Sequence, residues 1–184
     1  MKAIYVNKHR FFWILCGIFY FFSGSTSVCG AEISDLVMNT DQGYLLLSVK
    51  ISDLIAAEVN ASSAAEASVT IIFSIALYEV RSFWFNKKLA HHTATNTIKQ
   101  PPAKKEYQLL RSWDSGPPRV ADSLNAARLL VAEVNHLKLM PLAGLEKGRT
   151  YQVRVQAVCQ DKNPRIFNPS GGFKTDWHTV DFTF

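Results

Sequence analysis

Five apolar side chains at alternate positions, Val69, Ile71, Phe73, Ile75 and Leu77, constrain this chain more than any other feature. A period of two is that of an extended strand with one face turned to a core. The β-branched and aromatic content suits a half-buried pleated surface. The pattern continues through Arg81, Phe83, Trp84 and Phe85, turns at Asn86-Lys87-Lys88 and returns through a Thr-rich alternating run to Lys99. This order predicts one long antiparallel hairpin at the centre of a sheet. The chain around it has 184 residues, 48% hydrophobic and 19% charged, which suits one globular domain with an ordinary core.

Further strands follow from the same alternation. Ile33 to Asn39 is extended, Asp41-Gln42-Gly43 is a turn, and Tyr44 to Ser52 places Leu45, Leu47, Val49 and Ile51 on one face. Asp53 caps a short Ala-rich helix reaching Glu66, and Lys105 to Trp113 forms a strand before the turn cluster Asp114-Ser115-Gly116-Pro117-Pro118. From a cap at Asp122 or Ser123, Leu124, Ala127, Leu130, Val131, Val134 and Leu137 form one stripe, with Arg128, Glu133 and Asn135 outside it. That spacing predicts an amphipathic helix over Ser123 to His136, packed on the sheet, with Pro141 ending the element. Leu145, Gly148 and Tyr151, with Tyr151 opening an alternating strand, resemble the tyrosine corner of immunoglobulin and fibronectin type III sandwiches. After a polar loop over Asp161 to Thr175, Val180, Phe182 and Phe184 alternate in a closing strand. The expectation is a mainly β, two-layer antiparallel β-sandwich of about seven strands, resembling the immunoglobulin type, with one or two inserted helices. An α+β domain with one antiparallel sheet and its helices on one face is the alternative. An outer-membrane barrel needs about eight lipid-facing strands, and two helices leave too little chain for them.

The N-terminus reads as a targeting segment. The basic stretch Met1 to Arg10 precedes the apolar run Phe11 to Phe22, and small residues follow to Ala31. That run is shorter than the roughly 20 residues a bilayer span needs and has the length of a signal-peptide core. The domain expectation is therefore a signal peptide over 1–31 and a single β-rich domain over 32–184, periplasmic or secreted. The alternative keeps residues 11–28 as an inner-membrane anchor with the domain outside the cytoplasm. Lys2, Lys8 and Arg10 leave with this segment, and the net charge falls from +5 to 17 basic against 15 acidic residues. So balanced a charge argues against a nucleic-acid partner. Cys16 and Cys29 also leave, so Cys159 stands alone, in phase with the inward positions of its strand, as a small buried hydrophobe.

The sequence carries no nucleophile elbow, phosphate loop, zinc motif or dinucleotide fingerprint, so no catalytic residue, metal ligand or cofactor is assigned. His91 and His92, as strand neighbours, point to opposite faces and cannot chelate one ion together. Asn60-Ala61-Ser62 matches the glycosylation sequon, a three-residue pattern of little weight. The candidate binding residues are Tyr78, Arg81 and Trp84. With Phe83 and Phe85 turned inward, Tyr78, Val80 and Trp84 form an outward row unless the helix after Ser123 covers it. Trp and Tyr favour contact hot spots, and Arg81 can stack on a ring or hold a carboxylate.

The order of these motifs resembles one known family. Arg81-Ser82-Phe83-Trp84-Phe85-Asn86-Lys87-Lys88, a Thr-rich strand, Tyr107 opening another, the helix after Ser123, the Leu145…Gly148…Tyr151 strand and Phe173…Asp176-Trp177 follow the order of the bacterial domain-of-unknown-function family 4390. Asn86 stands where that pattern has an Asp, and Gln100-Pro101 where it has Tyr-Asp, both at turns. The resemblance implies an exported protein without assigned activity, with a link to envelope signalling because some members are encoded near a nitrogen-regulation-type sensor kinase. Together these readings lead to the expectation of a non-enzymatic envelope binding module. Its partner is a protein or another envelope component, and it meets the membrane only through its N-terminal segment. The opposed expectation is a hydrolytic enzyme whose site no motif marks.

Overall fold

The computed structural model describes residues 31–52, 68–101, 106–161 and 172–184. The expected targeting segment, the expected helix over Asp53 to Glu66, the sequon and residues 162–171 of the polar loop lie outside the described residues. In chain order the described elements are β1 (Glu32–Asp41), β2 (Tyr44–Ser52), β3 (Ser68–Glu79), β4 (Lys87–Lys99), β5 (Tyr107–Arg111), β6 (Arg119–Ala121), α1 (Leu124–Val131), β7 (Glu133–Pro141), β8 (Thr150–Asp161), β9 (Gly172–Lys174) and β10 (His178–Thr183). A single 3-10 turn, Leu142–Gly144, follows β7.

Two antiparallel sheets divide these strands. The smaller runs β1-β2-β7 and the larger β10-β8-β3-β4-β5-β6, with β9 on the β10 side of β8. The fold is mainly β and sandwich-like, with one inserted helix among the described residues, as the alternation of apolar residues requires. The strands among the described residues number ten rather than about seven, because β6 and β9 are three-residue strands and β7 replaces helix.

The expected hairpin is the middle of the larger sheet. β3 pairs β4 from Ser68↔Lys99 to Glu79↔Lys87, and β8 along its other edge from Val69↔Asp161 to Glu79↔Tyr151. Flanked on both sides, Val69, Ile71, Phe73, Ile75 and Leu77 are buried with Val153, Val155, Ala157 and Cys159 of β8. Full burial of such side chains contributes about 1.5–3 kcal/mol each, so this row is the main apolar contribution to the core. Leu45, Leu47, Val49 and Ile51 of β2 join the same cluster from the other sheet. The β1–β2 turn is a tight two-residue loop in which Gln42 and Gly43 both take positive φ, 48° and 78°, the form that matches strand twist.

The helix is shorter than its apolar stripe predicts. Ser123 caps α1, its hydroxyl accepting from the Ala126 N–H at 3.2 Å, but the helix ends at Val131 and the chain becomes β7. A bulge explains why the sequence reads otherwise. Leu47 and Val49 of β2 face Leu137 and Val134 of β7, so three residues of β7 span what two span on β2. His136, at φ 57°, takes up the extra residue, and its N–H donates to the Ser48 hydroxyl at 3.1 Å. Two inward residues three apart therefore mimic a helical period inside a strand. Arg128, expected outside the stripe, is buried.

Side chains of the larger sheet satisfy carbonyls at the end of α1 and along β7. Asn96, with 0% exposure, donates to the Val131 carbonyl at 3.0 Å and the Glu133 carbonyl at 2.8 Å, and accepts from the Trp113 indole N–H at 2.9 Å. Arg111 donates to the Leu130 carbonyl at 3.3 Å and pairs with the Glu133 carboxylate at 3.4 Å. Helix-end carbonyls lack intrahelical partners, and a cation there also meets the negative end of the dipole.

Candidate functional site

The central hairpin ends in an exposed aromatic tip. β3 stops at Glu79 and β4 begins at Lys87, so Val80 to Asn86 form a connecting loop rather than the ends of strands. Phe83, Trp84 and Phe85 are 98%, 76% and 88% exposed. Three adjacent large apolar residues in that state are uncommon on a small domain, where such patches mark contact sites. The loop is held at its base. The Arg81 N–H donates to the Asn86 side-chain oxygen at 3.5 Å, and the Val80 N–H donates to the Thr150 carbonyl of β8 at 2.9 Å.

Three expectations for this region are corrected. Phe83 and Phe85 do not point into the core, because the β3 alternation stops before them and nothing beyond the sheet end can bury them. No outward row of Tyr78, Val80 and Trp84 exists for the same reason. The helix after Ser123 does not cover the tip either; α1 packs on β4, β5, β6 and β7.

The three candidate binding residues sit at one end of the larger sheet in different settings. Trp84 stands free at the tip. Arg81 is exposed and lies 3.7 Å from the Glu79 carboxylate. Tyr78 is half-buried, with the Lys88 ammonium 5.8 Å and the Arg154 guanidinium 4.8 Å from its ring centre. Arg154 in turn donates to Gln152 at 2.7 Å, and Gln152 to the Asp181 carboxylate at 2.8 Å. Tyr78 therefore serves as a platform for two cations rather than as an apolar contact.

Sequence reasoning missed what the fold adds to this end. The turn before β8, with Gly148 at φ 77°, carries Lys147 and Arg149 and leads directly into Thr150, the partner of Val80. Arg149 pairs with Glu146 at 3.2 Å, both exposed. Arg81, Lys87 and Lys88 thus flank the aromatic triplet in the chain, and Lys147 and Arg149 lie on the turn that meets the base of the loop, with Glu79, Glu146 and Asp181 as carboxylates at the same end of the sheet. The same turn holds Leu145, Gly148 and Tyr151. The buried Tyr151 hydroxyl accepts from the Glu146 N–H at 2.7 Å and lies 3.4 Å from the Glu146 carbonyl, fixing the turn five residues upstream.

Other polar features are structural in their geometry. The His92 Nε2 lies 2.7 Å from the Leu139 carbonyl, tying β4 to β7, while His91 is exposed on the opposite face. Cys159 is buried in the core. Burial and the neighbouring Arg119 charge lower the Arg111 pKa from its usual value, against the raising influence of Glu133 and Asp114. Burial likewise lowers that of Arg128. A cleft of ≈ 480 Å³ opens between Ala31–Ile33 and Lys174–His178, with Glu32, Asp176, Trp177 and His178 on its walls. The Thr175 hydroxyl beside it is engaged by the Ala157 N–H at 3.0 Å, so it bridges the break between β9 and β10. Among the described residues no group of three His, Cys, Asp or Glu is placed to hold a metal ion, and no helix is long and apolar enough to cross a membrane.

Residues 29–181 match one family model, described as a domain of unknown function (DUF4390). No curated protein matches the chain, and no solved structure does.

Proposed function

The chain belongs to the DUF4390 family, and from that premise we propose that it is a non-enzymatic interaction module of the bacterial envelope, meeting its partner through the tip of the central hairpin. One observation carries this reading: Phe83, Trp84 and Phe85 are exposed side by side on a loop at the end of a strand pair whose inner face is buried in the core. Exposed aromatics on a rigid support favour binding, since little ordering entropy is lost on contact. Catalysis needs titratable groups converging in a pocket, and Arg81, Lys87, Lys88, Lys147 and Arg149 at this end are exposed on a loop, a strand start and a turn.

Export supplies the setting. The basic, apolar and small-residue order of Met1 to Ala31 supports delivery across the inner membrane, with a signal peptide giving a periplasmic or secreted product. A fusion of residues 1–32 to a reporter active only outside the cytoplasm will be active, and a silent fusion would refute export.

The contact surface is tested by site-specific photocrosslinking in cells. A photoreactive residue in place of Phe83 will capture an envelope component that one in place of Val120, an exposed residue on β6, does not. Trp84→Ala and Arg81→Ala will weaken that capture. Equal capture from both positions, or capture indifferent to Trp84→Ala in a folded protein, would refute the tip as the contact surface.

A further inference from the structure

We propose that the hairpin tip docks on an anionic lipid bilayer, with Phe83, Trp84 and Phe85 entering the interfacial region and Arg81, Lys87 and Lys88 lying against lipid phosphates. This rests on the reading of the tip as the contact surface and names its partner. It goes beyond the expectation that membrane contact runs through the N-terminal segment alone.

Shape is the first argument. Side chains that are 98%, 76% and 88% exposed protrude from the domain. A protein partner must supply a complementary pocket for each ring, whereas a fluid bilayer interface closes around any convex apolar group. Tryptophan is enriched at that interface because its ring is amphipathic.

Charge is the second. Arg81 precedes the aromatic triplet, and Lys87 and Lys88 follow it within three residues. Lys147 and Arg149 join them from the turn before β8, which the Val80–Thr150 hydrogen bond holds beside the base of the loop. The carboxylates in this set are each beside an arginine, Glu79 at 3.7 Å from Arg81 and Glu146 at 3.2 Å from Arg149. Lys87, which stands opposite Glu79 across the strand pair, Lys88 and Lys147 form no ion pair among the described residues and are left to meet an anionic surface. Apolar residues ringed by cations match the layering of such a surface, with acyl chains beneath phosphates.

Support is the third. The tip grows from a strand pair that keeps one register from Ser68↔Lys99 to Leu77↔Ala90, shifts by one residue at Tyr78↔Lys88 and is anchored in the core, so it can be pressed into a headgroup layer without unfolding.

The test uses the protein as its host processes it, with vesicles of phosphatidylcholine alone or mixed with phosphatidylglycerol, each carrying brominated acyl chains that quench buried tryptophan. The comparison is wild type against Trp84→Phe, which keeps an aromatic ring and removes the reporter; Trp113 and Trp177, with Trp13 only where the N-terminal segment is kept, are common to both. Wild type will show quenching in phosphatidylglycerol vesicles that Trp84→Phe lacks. Lys87→Gln and Lys88→Gln will each weaken partitioning about fivefold, the equivalent of ~1 kcal/mol per basic residue near the surface, and added salt will weaken it further. Equal quenching of wild type and Trp84→Phe in every vesicle overturns lipid docking. If the photoreactive residue at position 83 then still captures one protein, the contact surface stands with a protein partner. If it captures nothing specific to the tip, both readings fall.

Discussion

Replacing Asn96 by alanine is expected to destabilise the domain more than its size suggests. The side chain has 0% exposure and is engaged by three groups: the Val131 and Glu133 carbonyls and the Trp113 indole N–H. Alanine leaves all three without their partner. A buried polar group left unsatisfied costs about 1–3 kcal/mol. Trp113 is only half-buried, so its N–H can reach water and falls at the low end. The expected loss is therefore about 4 kcal/mol, a large part of the roughly 5–15 kcal/mol of an ordinary domain. In urea denaturation, with a slope of about 2 kcal/mol per molar, the midpoint will fall by roughly 2 M. Trp113 fluorescence will shift to the red as its indole loses its acceptor. Asn96→Asp adds a check of sign. Its carboxylate would face two carbonyl oxygens, so the fold favours the protonated form and raises the pKa above the unfolded value of about 3.9. The stabilising acid form is fully present below about pH 4 and is lost as pH rises through the folded-state pKa, so this variant is most stable in acid. A loss below about 1 kcal/mol in Asn96→Ala, with the Asp variant insensitive to pH, would refute the claim that this residue clamps β7 and the end of α1 to the larger sheet.

Tyr151→Phe removes the hydroxyl that accepts from the Glu146 N–H and should cost about 1–2 kcal/mol in the same urea assay, with the ring's packing on Phe182 preserved. Ser123→Ala deletes the helix cap and should cost about 1 kcal/mol, restored largely by Ser123→Asp. Trp84→Ala lies outside the core and should change stability by less than about 0.5 kcal/mol, measured as an unchanged urea midpoint, even where it abolishes contact with a partner.

The strands with strict alternation were legible because their signal is local. Each of β2, β3 and β8 buries every second residue, and a period of two survives whatever the strand pairs with. The Leu145, Gly148 and Tyr151 spacing is likewise short-range, since the hydroxyl reaches back only five residues. Ser123 was recognisable as a cap on the same grounds. The family resemblance, carried by the order of these elements, placed the chain where the family match over residues 29–181 also places it.

What the sequence by itself determined was thus the mainly β character, the central hairpin and the family. Only the tertiary structure decided the fate of Glu133 to Pro141, because a bulge against Ser48 gives a strand the spacing of a helix, and that bulge exists only when β2 is present to pair. It also decided where the aromatic triplet points. Alternation through Phe83 and Phe85 looked continuous with β3, yet a side chain is buried only where another layer lies opposite, and the sandwich ends at Glu79. The basic surround of the tip is likewise a product of pairing. Arg149 and Lys87 lie far apart in the chain, and they come to the same end of the sheet because β3 carries β4 on one edge and β8 on the other. Local pattern specifies an element; which face finds a partner depends on contacts between residues that no local period records.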